Sequence, residues 1–406
     1  MQGVLQALRV RGFGRLASTY ALNELADWFA AIALSILVFD ATGSAWATTA
    51  LFLANKFAPG LLVPGLAARL EHIRVARLLG GVYVVEAGVL AVLALVAGEF
   101  WLPAVLVLAL VDGTLAAVAR AATRGATPAL MEPHGLLRQA NATLNIGFAA
   151  TNAAAPIAAG GLVALTSPGP VLAAAAGLFL LQAVLIGTSR DLPVADVEPA
   201  PWRERLGEAL RHVNSRPVLR TLLIMETAVV VLATMVAPIE VVLAKETLDA
   251  GDVGYGALAA SWGVGMLVGS ALFARETGRP ILGLIAVATA AVGLGYVGMA
   301  LAPGIELACV AAAVGGVGNG VQWVAVITAV QEATEARFQA RIAGLTEVIL
   351  TVAPGIGFTF GGAVTALLSP RAAFAVAGGG VLVLLALGAF LLGGRGAAFE
   401  SERAPA

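Results

Sequence analysis

Seven ionisable side chains lie inside stretches otherwise apolar enough to cross a bilayer: Glu24, Asp27, Lys56, Glu86, Asp112, Glu226 and Glu347. Only Lys56 is basic. Glu24 and Asp27 are three apart in ALNELADWFAAIALSILVFD (21–40), which puts them on one helix face. An ionised Asp near the bilayer centre costs about 2.5 to 3.5 kcal/mol even on mild insertion scales, so that face looks into protein or a water-filled cavity rather than lipid. The chemistry open to such groups is proton transfer. A carboxyl whose proton affinity shifts with burial and with a nearby cation can load on one side of a membrane and unload on the other.

Six acids cannot all pair with one lysine, unless Arg120, near the inner end of the fourth apolar run, joins them. Asp27 is the expected main protonation site, with Glu24 beside it and Lys56 as its switching partner. Asp112 and Glu226 are further candidates. The alternative is that these groups are satisfied locally by neighbouring helices. Glu347 lies so near a span end that a helix-end role fits it. Asn145 and Asn152, seven apart, stack on one side of the fifth run, with Asn141 a turn earlier; Asn319, Gln322 and Trp323 are similar in the tenth. These can line a substrate cavity or hydrogen-bond between helices.

The elements that must position these residues are membrane spans. With 59% hydrophobic and 12% charged residues and a mean hydropathy of +0.92, the 406-residue chain has too little polar surface for a soluble domain. Apolar runs fall at about 17–40, 45–68, 78–98, 101–122, 140–166 and 169–188, then 219–243, 254–274, 280–302, 305–330, 342–368 and 371–393. The expected fold class is therefore all-α integral membrane, with twelve spans in two pseudo-symmetric six-helix bundles, each run meeting the roughly 20 residues a span needs. The boundaries are 1–188 for the first bundle, 189–218 for a linker, and 219–406 for the second bundle with its short tail. With the basic N-terminal stretch inside, every Lys and Arg but Lys56, Lys245 and Arg371 falls in an inner segment, an alternation that puts both termini in the cytoplasm.

Other classes are excluded by what is missing. One cysteine, Cys309, allows no internal disulfide, and His72, His134 and His212 stand in separate inner segments, so no metal site is expected. GVGMLVG (263–269) and GGVGNG (315–320) sit inside apolar runs with no preceding strand. They read as close helix packing, not phosphate loops. No nucleophile triad or Walker loop is present, so an enzyme is not expected, and neither a cofactor nor a nucleic-acid partner. In the linker, Trp202, Leu206, Leu210 and Val213 recur at helical spacing among charges, predicting an amphipathic helix on the cytoplasmic membrane face.

A weak repeat near 200 residues echoes RLEHIR in ARETGR, and the stretch through Pro156 in that through Pro354. FDATGSAWATTALFLANKFAPGLL, RAATRGATPALMEPHGLLRQANATLN, GEALRHVNSRPVLRTLL and QEATEARFQARIAGLTE resemble the corresponding stretches of the major facilitator superfamily, most closely its bacterial macrolide-efflux and siderophore-exporter branch. That resemblance implies two six-helix bundles, alternating access and, in many relatives, proton-driven export from a bacterial inner membrane, with a small-molecule substrate, the bilayer as partner and a monomeric state. Two motifs depart from the family pattern. The first inner loop reads GLAARLEHIRVAR, so either Arg69 stands where an acid is usual or Glu71 supplies it, with Arg74 and Arg77 as basic partners. These residues and Arg120 are the candidate cytoplasmic gate, or only set topology. The fifth-span antiporter signature keeps Pro156 and Gly160 but has alanines at two glycine positions.

Overall fold

The computed structural model describes residues 2–70, 73–187, 189, 192, 202–273, 280–334 and 338–403, and it is helical almost throughout. After a short α1 (Gln2–Arg9), α2 (Phe13–Thr42) is the first helix long enough to span a bilayer. It stops where Gly43 enters the left-handed region at φ 57°, a conformation that favours glycine, and its N–H caps the Phe39 carbonyl. Ser44 then restarts the chain, its hydroxyl accepting the N–H of Ala47 at 3.4 Å.

Among the described residues, eleven helices are long and apolar enough to cross a membrane. The run read as a second uninterrupted span is divided instead. α3 (Ala45–Phe52) passes through a π-helical turn (Leu53–Phe57) into α4 (Ala58–Leu70). α5 (Val75–Val96), α6 (Leu102–Met131), α7 (Leu137–Leu165) and α8 (Pro168–Gly187) follow. The later helices are α9 (Trp202–Ser215), α10 (Pro217–Thr234), a one-turn α11 (Glu240–Val242), α12 (Gly251–Phe273), α13 (Ile281–Leu301), α14 (Ile305–Glu332), α15 (Gln339–Leu367) and α16 (Pro370–Arg403). The span predicted at 219–243 is among the eleven, as Pro217–Thr247, but it is irregular. Pro238 cannot donate to the helical ladder, a 3₁₀ turn occupies Ala237–Ile239, and a second π turn covers Leu243–Thr247.

The chain divides into two compact units, 1–199 with 251–260, and 200–250 with 261–406. In the first, α2 packs on α7 and α8, α5 lies between α6 and α8, and the π turn with α4 lies on α6. Residues 251–260 join this unit because α12 approaches α7 backbone to backbone: a Cβ on Gly160 would meet the Asp252 carbonyl at 2.6 Å. In the second, α13 packs on α14 and α16, and α10 on α15 and α16. The glycine runs act there as packing surfaces. Gly316 lies so close to Gly265 and to the Trp262 backbone that no side chain fits.

The linker helix α9 buries a different stripe from the one expected. Ala209 and Val213 join Leu219, Leu223, Val326, Val330, Ile342 and Leu345 in one core cluster, and the His212 ring stacks on Phe338 at 4.0 Å. Leu210 is exposed, and the side chains of Trp202 and Leu206 lie outside the described ones. The helix thus packs on the ends of α14 and α15 and leaves Leu210 exposed. Burying Ala209 and Val213 against an existing core removes more apolar surface from water.

Replacing Gly316 with Ala is expected to destabilise the fold by about 1 to 3 kcal/mol through overpacking. Gly379 faces open space and its replacement by Ala should be neutral or slightly stabilising. Unfolding midpoints of the two variants in one detergent check the contrast.

Candidate functional site

In the first unit the titratable residues of four different helices converge. Asp27 is the fifteenth of thirty residues in α2, so it sits about 21 Å from either helix end at 1.5 Å per residue. From α6, Arg120 donates from Nη1 to Asp27 Oδ2 at 2.7 Å, the one ion pair among the described residues. Asp27 is 10% exposed and Arg120 29%, so the pair is largely shielded from solvent. Asn23, one turn before, donates its amide to the same Oδ2 at 3.3 Å. The partner expected for Asp27 was Lys56. Arg120 takes that place because α6 packs on α2 and delivers a guanidinium at mid-helix depth.

Around this pair stand Glu24, Glu86 and Tyr83, all buried. Glu86, on α5, lies within electrostatic reach of Asp27, Asp112 and Arg120. Neither of its carboxyl oxygens has a hydrogen-bond partner among the described residues. The third span therefore carries its acid into the cluster. Tyr83, one turn earlier on α5, packs at 6.0 Å on Phe179 of α8.

Asp112 is held from the other side. Asn55, in the π turn, donates its amide to Asp112 Oδ2 and to the Ala109 carbonyl, both at 3.0 Å. Gly113 makes this possible, since a Cβ there would collide with the Asn55 carbonyl. Lys56, the next residue, is exposed and is an electrostatic neighbour of Asp112 without being ion-paired to it. Among the described side chains, the Arg120 guanidinium is thus within electrostatic reach of several acids at once, Asp27, Glu24, Glu86 and Asp112.

The second unit holds a smaller polar contact. Gln322 of α14 donates to Glu226 of α10 at 3.3 Å, joining two residues singled out separately by type. Asn319 is half-buried one turn away, and Trp323 is exposed. Asn152 bonds back to the Phe148 carbonyl of its own helix, as interhelical or cavity roles would not require. Arg74 and Arg77 are exposed near the start of α5. Glu71 lies outside the described residues, and so do the side chains of Arg69, Asn145 and Glu347.

Four participants went unread in the sequence. Asn23, Asn55 and Tyr83 are uncharged and look like ordinary polar interruptions. Glu240 is an acid inside an apolar run, VAPIEVVLAKE, and its position after Pro238 was the available signal. In the fold it starts α11 near Tyr296, whose hydroxyl donates to the Ala233 carbonyl across the helix break.

Asn55→Ala should cost about 1 to 3 kcal/mol, because Asp112 Oδ2 and the Ala109 carbonyl lose a donor in a buried place. Thr114→Ala on the same helix, whose hydroxyl bonds only its own backbone, should cost under half as much. Thermal unfolding in detergent distinguishes the two.

No family model matches the chain, and no curated protein matches it. Solved structures do. The nucleoside transporter NupG aligns with a TM-score of 0.70 at 13% identity, covering 94% of this chain and 98% of its own. A POT family transporter in complex with a thioalcohol-conjugated peptide gives 0.73 at 10% identity, with 95% and 96% covered. A bacterial homologue of the iron transporter ferroportin, in an inward-facing state, gives 0.68 at 17% identity, with 95% and 98% covered. At such identities the likeness is one of fold: the chain has the helical fold these solved transporters share.

Proposed function

We propose that the chain is a proton-coupled secondary transporter that exports small amphipathic molecules by alternating access across a bacterial inner membrane. It works with twelve spans in two six-helix halves and with both termini in the cytoplasm. The observation that carries this reading is the Asp27–Arg120 pair, shielded at mid-helix depth with the buried acids Glu86 and Asp112 within electrostatic reach of the same guanidinium. A buried ion pair is poor as a stabilising device, since its desolvation cost rivals its Coulomb gain. It is useful as a switch. When Asp27 takes a proton, Arg120 is released, and the helices α2 and α6 that hold the two can part; when the proton leaves, the pair closes again.

Asp112 and Glu86 are close enough to Arg120 to exchange charge with it during that cycle. Glu24 completes the acidic face of α2. In the other unit, Glu226 with Gln322 offers a second place where a proton or a polar substrate group can be held. The proton gradient is the energy source, and no cofactor or metal is used. The substrate is a small molecule taken from the cytoplasm or inner leaflet, and the working unit is a monomer. An uncoupled facilitator, a lipid-handling protein or an importer of the same fold is favoured only by the altered first inner loop and the alanines around Pro156.

In everted vesicles made acidic inside, radiolabelled erythromycin is expected to accumulate in a protonophore-sensitive way. Asp27→Asn should reduce the accumulation at least tenfold without loss of protein from the membrane. Accumulation by Asp27→Asn equal to the parent would show that the coupling runs elsewhere.

A further inference from the structure

Asp112 is a carboxyl with one oxygen answered and one not. It is 4% exposed, and the Asn55 amide donates to its Oδ2 at 3.0 Å. Oδ1 is buried and meets no hydrogen-bond partner among the described residues. A buried acceptor left unmade costs free energy, and an ionised one costs more, so Oδ1 needs either a proton or a donor that can reach it. Charged groups act on Asp112 from four elements: Asp27 on α2, Glu86 on α5, Arg120 on its own α6, and Lys56 on the π turn. Two of these are acids and supply no donor when ionised. Arg120 lies about 12 Å further along α6 by helical rise, and its Nη1 is held by Asp27 at 2.7 Å. Lys56 has no ion pair among the described residues, which makes it the cation placed to serve Oδ1.

The π turn fixes that placement. Leu53–Phe57 packs on α6, where Gly113 lets the Asn55 carbonyl approach so closely that a Cβ would collide with it. Neighbouring residues of a helix point about 100° apart, so Lys56 leaves the turn roughly a quarter of the way round from Asn55. With Asn55 pinned on Asp112 and on the Ala109 carbonyl, the lysine stem starts beside the same seam. The side chain is exposed, so no packing holds it back, and its flexible stem ends in three donors.

We infer that Lys56 is the charge partner of Asp112: the ammonium closes on Oδ1 when the carboxyl is ionised and leaves it when the carboxyl takes a proton. The structure holds the open form of this contact together with the closed form of Asp27–Arg120. α6 thus turns an acid toward the π turn and a cation toward α2, and a proton can break either contact. The part this plays in coupling rests on the transport reading proposed above, under which α6 is held to its neighbours at two proton-sensitive points. The pairing itself requires no transport.

The test is the thermal unfolding midpoint of the purified full chain in dodecyl maltoside at pH 8 and pH 5, with Lys56→Met, Lys56→Arg, Asp112→Asn and the double variant of Lys56→Met with Asp112→Asn. At pH 8, Lys56→Met should lower the midpoint by about 2 to 4 °C, and by less than half as much when Asp112→Asn is already present. As the pH falls and the carboxyl takes its proton, the loss caused by Lys56→Met should disappear, because the pair contributes stability only while Asp112 is ionised. Lys56→Arg, which keeps the charge, should retain most of the wild-type midpoint at both pH values. Equal losses with and without the Asp112 carboxyl overturn the inference, as does a loss that is the same at both pH values. The second outcome needs only Lys56→Met, so it decides the matter even if Asp112→Asn fails to elute as monodisperse protein. Dependence on the Asp112 carboxyl shown by Arg120→Gln but not by Lys56→Met also overturns it, and gives that carboxyl to Arg120. Protonophore-sensitive erythromycin accumulation by a chain in which the Lys56 and Asp112 losses simply add would leave the proposed function standing without this pair. A coupled pair in a chain without such accumulation would do the reverse.

Discussion

A charge carried to the middle of a hydrocarbon layer must find an opposite charge, a proton or water, and the first unit is arranged around how its charges do so. Asp27 and Arg120 find each other at 2.7 Å across two helices that are otherwise far apart in sequence. The rest follows from that contact. α2 and α6 have to approach at mid-depth, Asn23 shares the Oδ2 that Arg120 holds, and Glu86 and Asp112 have to tolerate a shared cation. The surrounding acids are then neither decoration nor simple error in a membrane core, since buried carboxyls gathered about one guanidinium can bind protons.

The two lysines of the chain, Lys56 and Lys245, both lie in π-helical turns, one in each unit. A π turn adds a residue and so changes which side chain faces a neighbouring helix without ending the helix. In the first unit the consequence is visible. Asn55 is turned onto α6, while Lys56 beside it is exposed yet within electrostatic reach of Asp112 on that helix. In the second unit the π turn follows the 3₁₀ turn at Pro238, and the half-buried Glu240 at the start of α11 lies between these irregularities.

Much of this architecture was legible from apolar run length, because hydrocarbon thickness sets a minimum helix and the runs at 17–40, 78–98 and 280–302 have no breaker inside them. The breaks were harder to read. Nothing in LFLANKFAPG announces a π turn, because the deviation arises from Asn55 reaching Asp112, 57 residues away. The site shows the same division. That Glu24 and Asp27 share a face follows from a spacing of three. That Arg120 rather than Lys56 answers Asp27 depends on how α6 lies against α2, which no local pattern encodes. The linker was read as an amphipathic helix, and the helix there buries a stripe through Ala209, His212 and Val213 because it covers a core belonging to α14 and α15.

The most direct measurement is a double-mutant cycle of Asp27→Asn and Arg120→Gln on unfolding free energy in one detergent. If the two side chains are each other's counterion, either single change strands a buried partner, and the double variant recovers about 1 to 3 kcal/mol relative to the sum of the singles. Additive single effects would mean that the pair is not coupled, and the account built on it would fail.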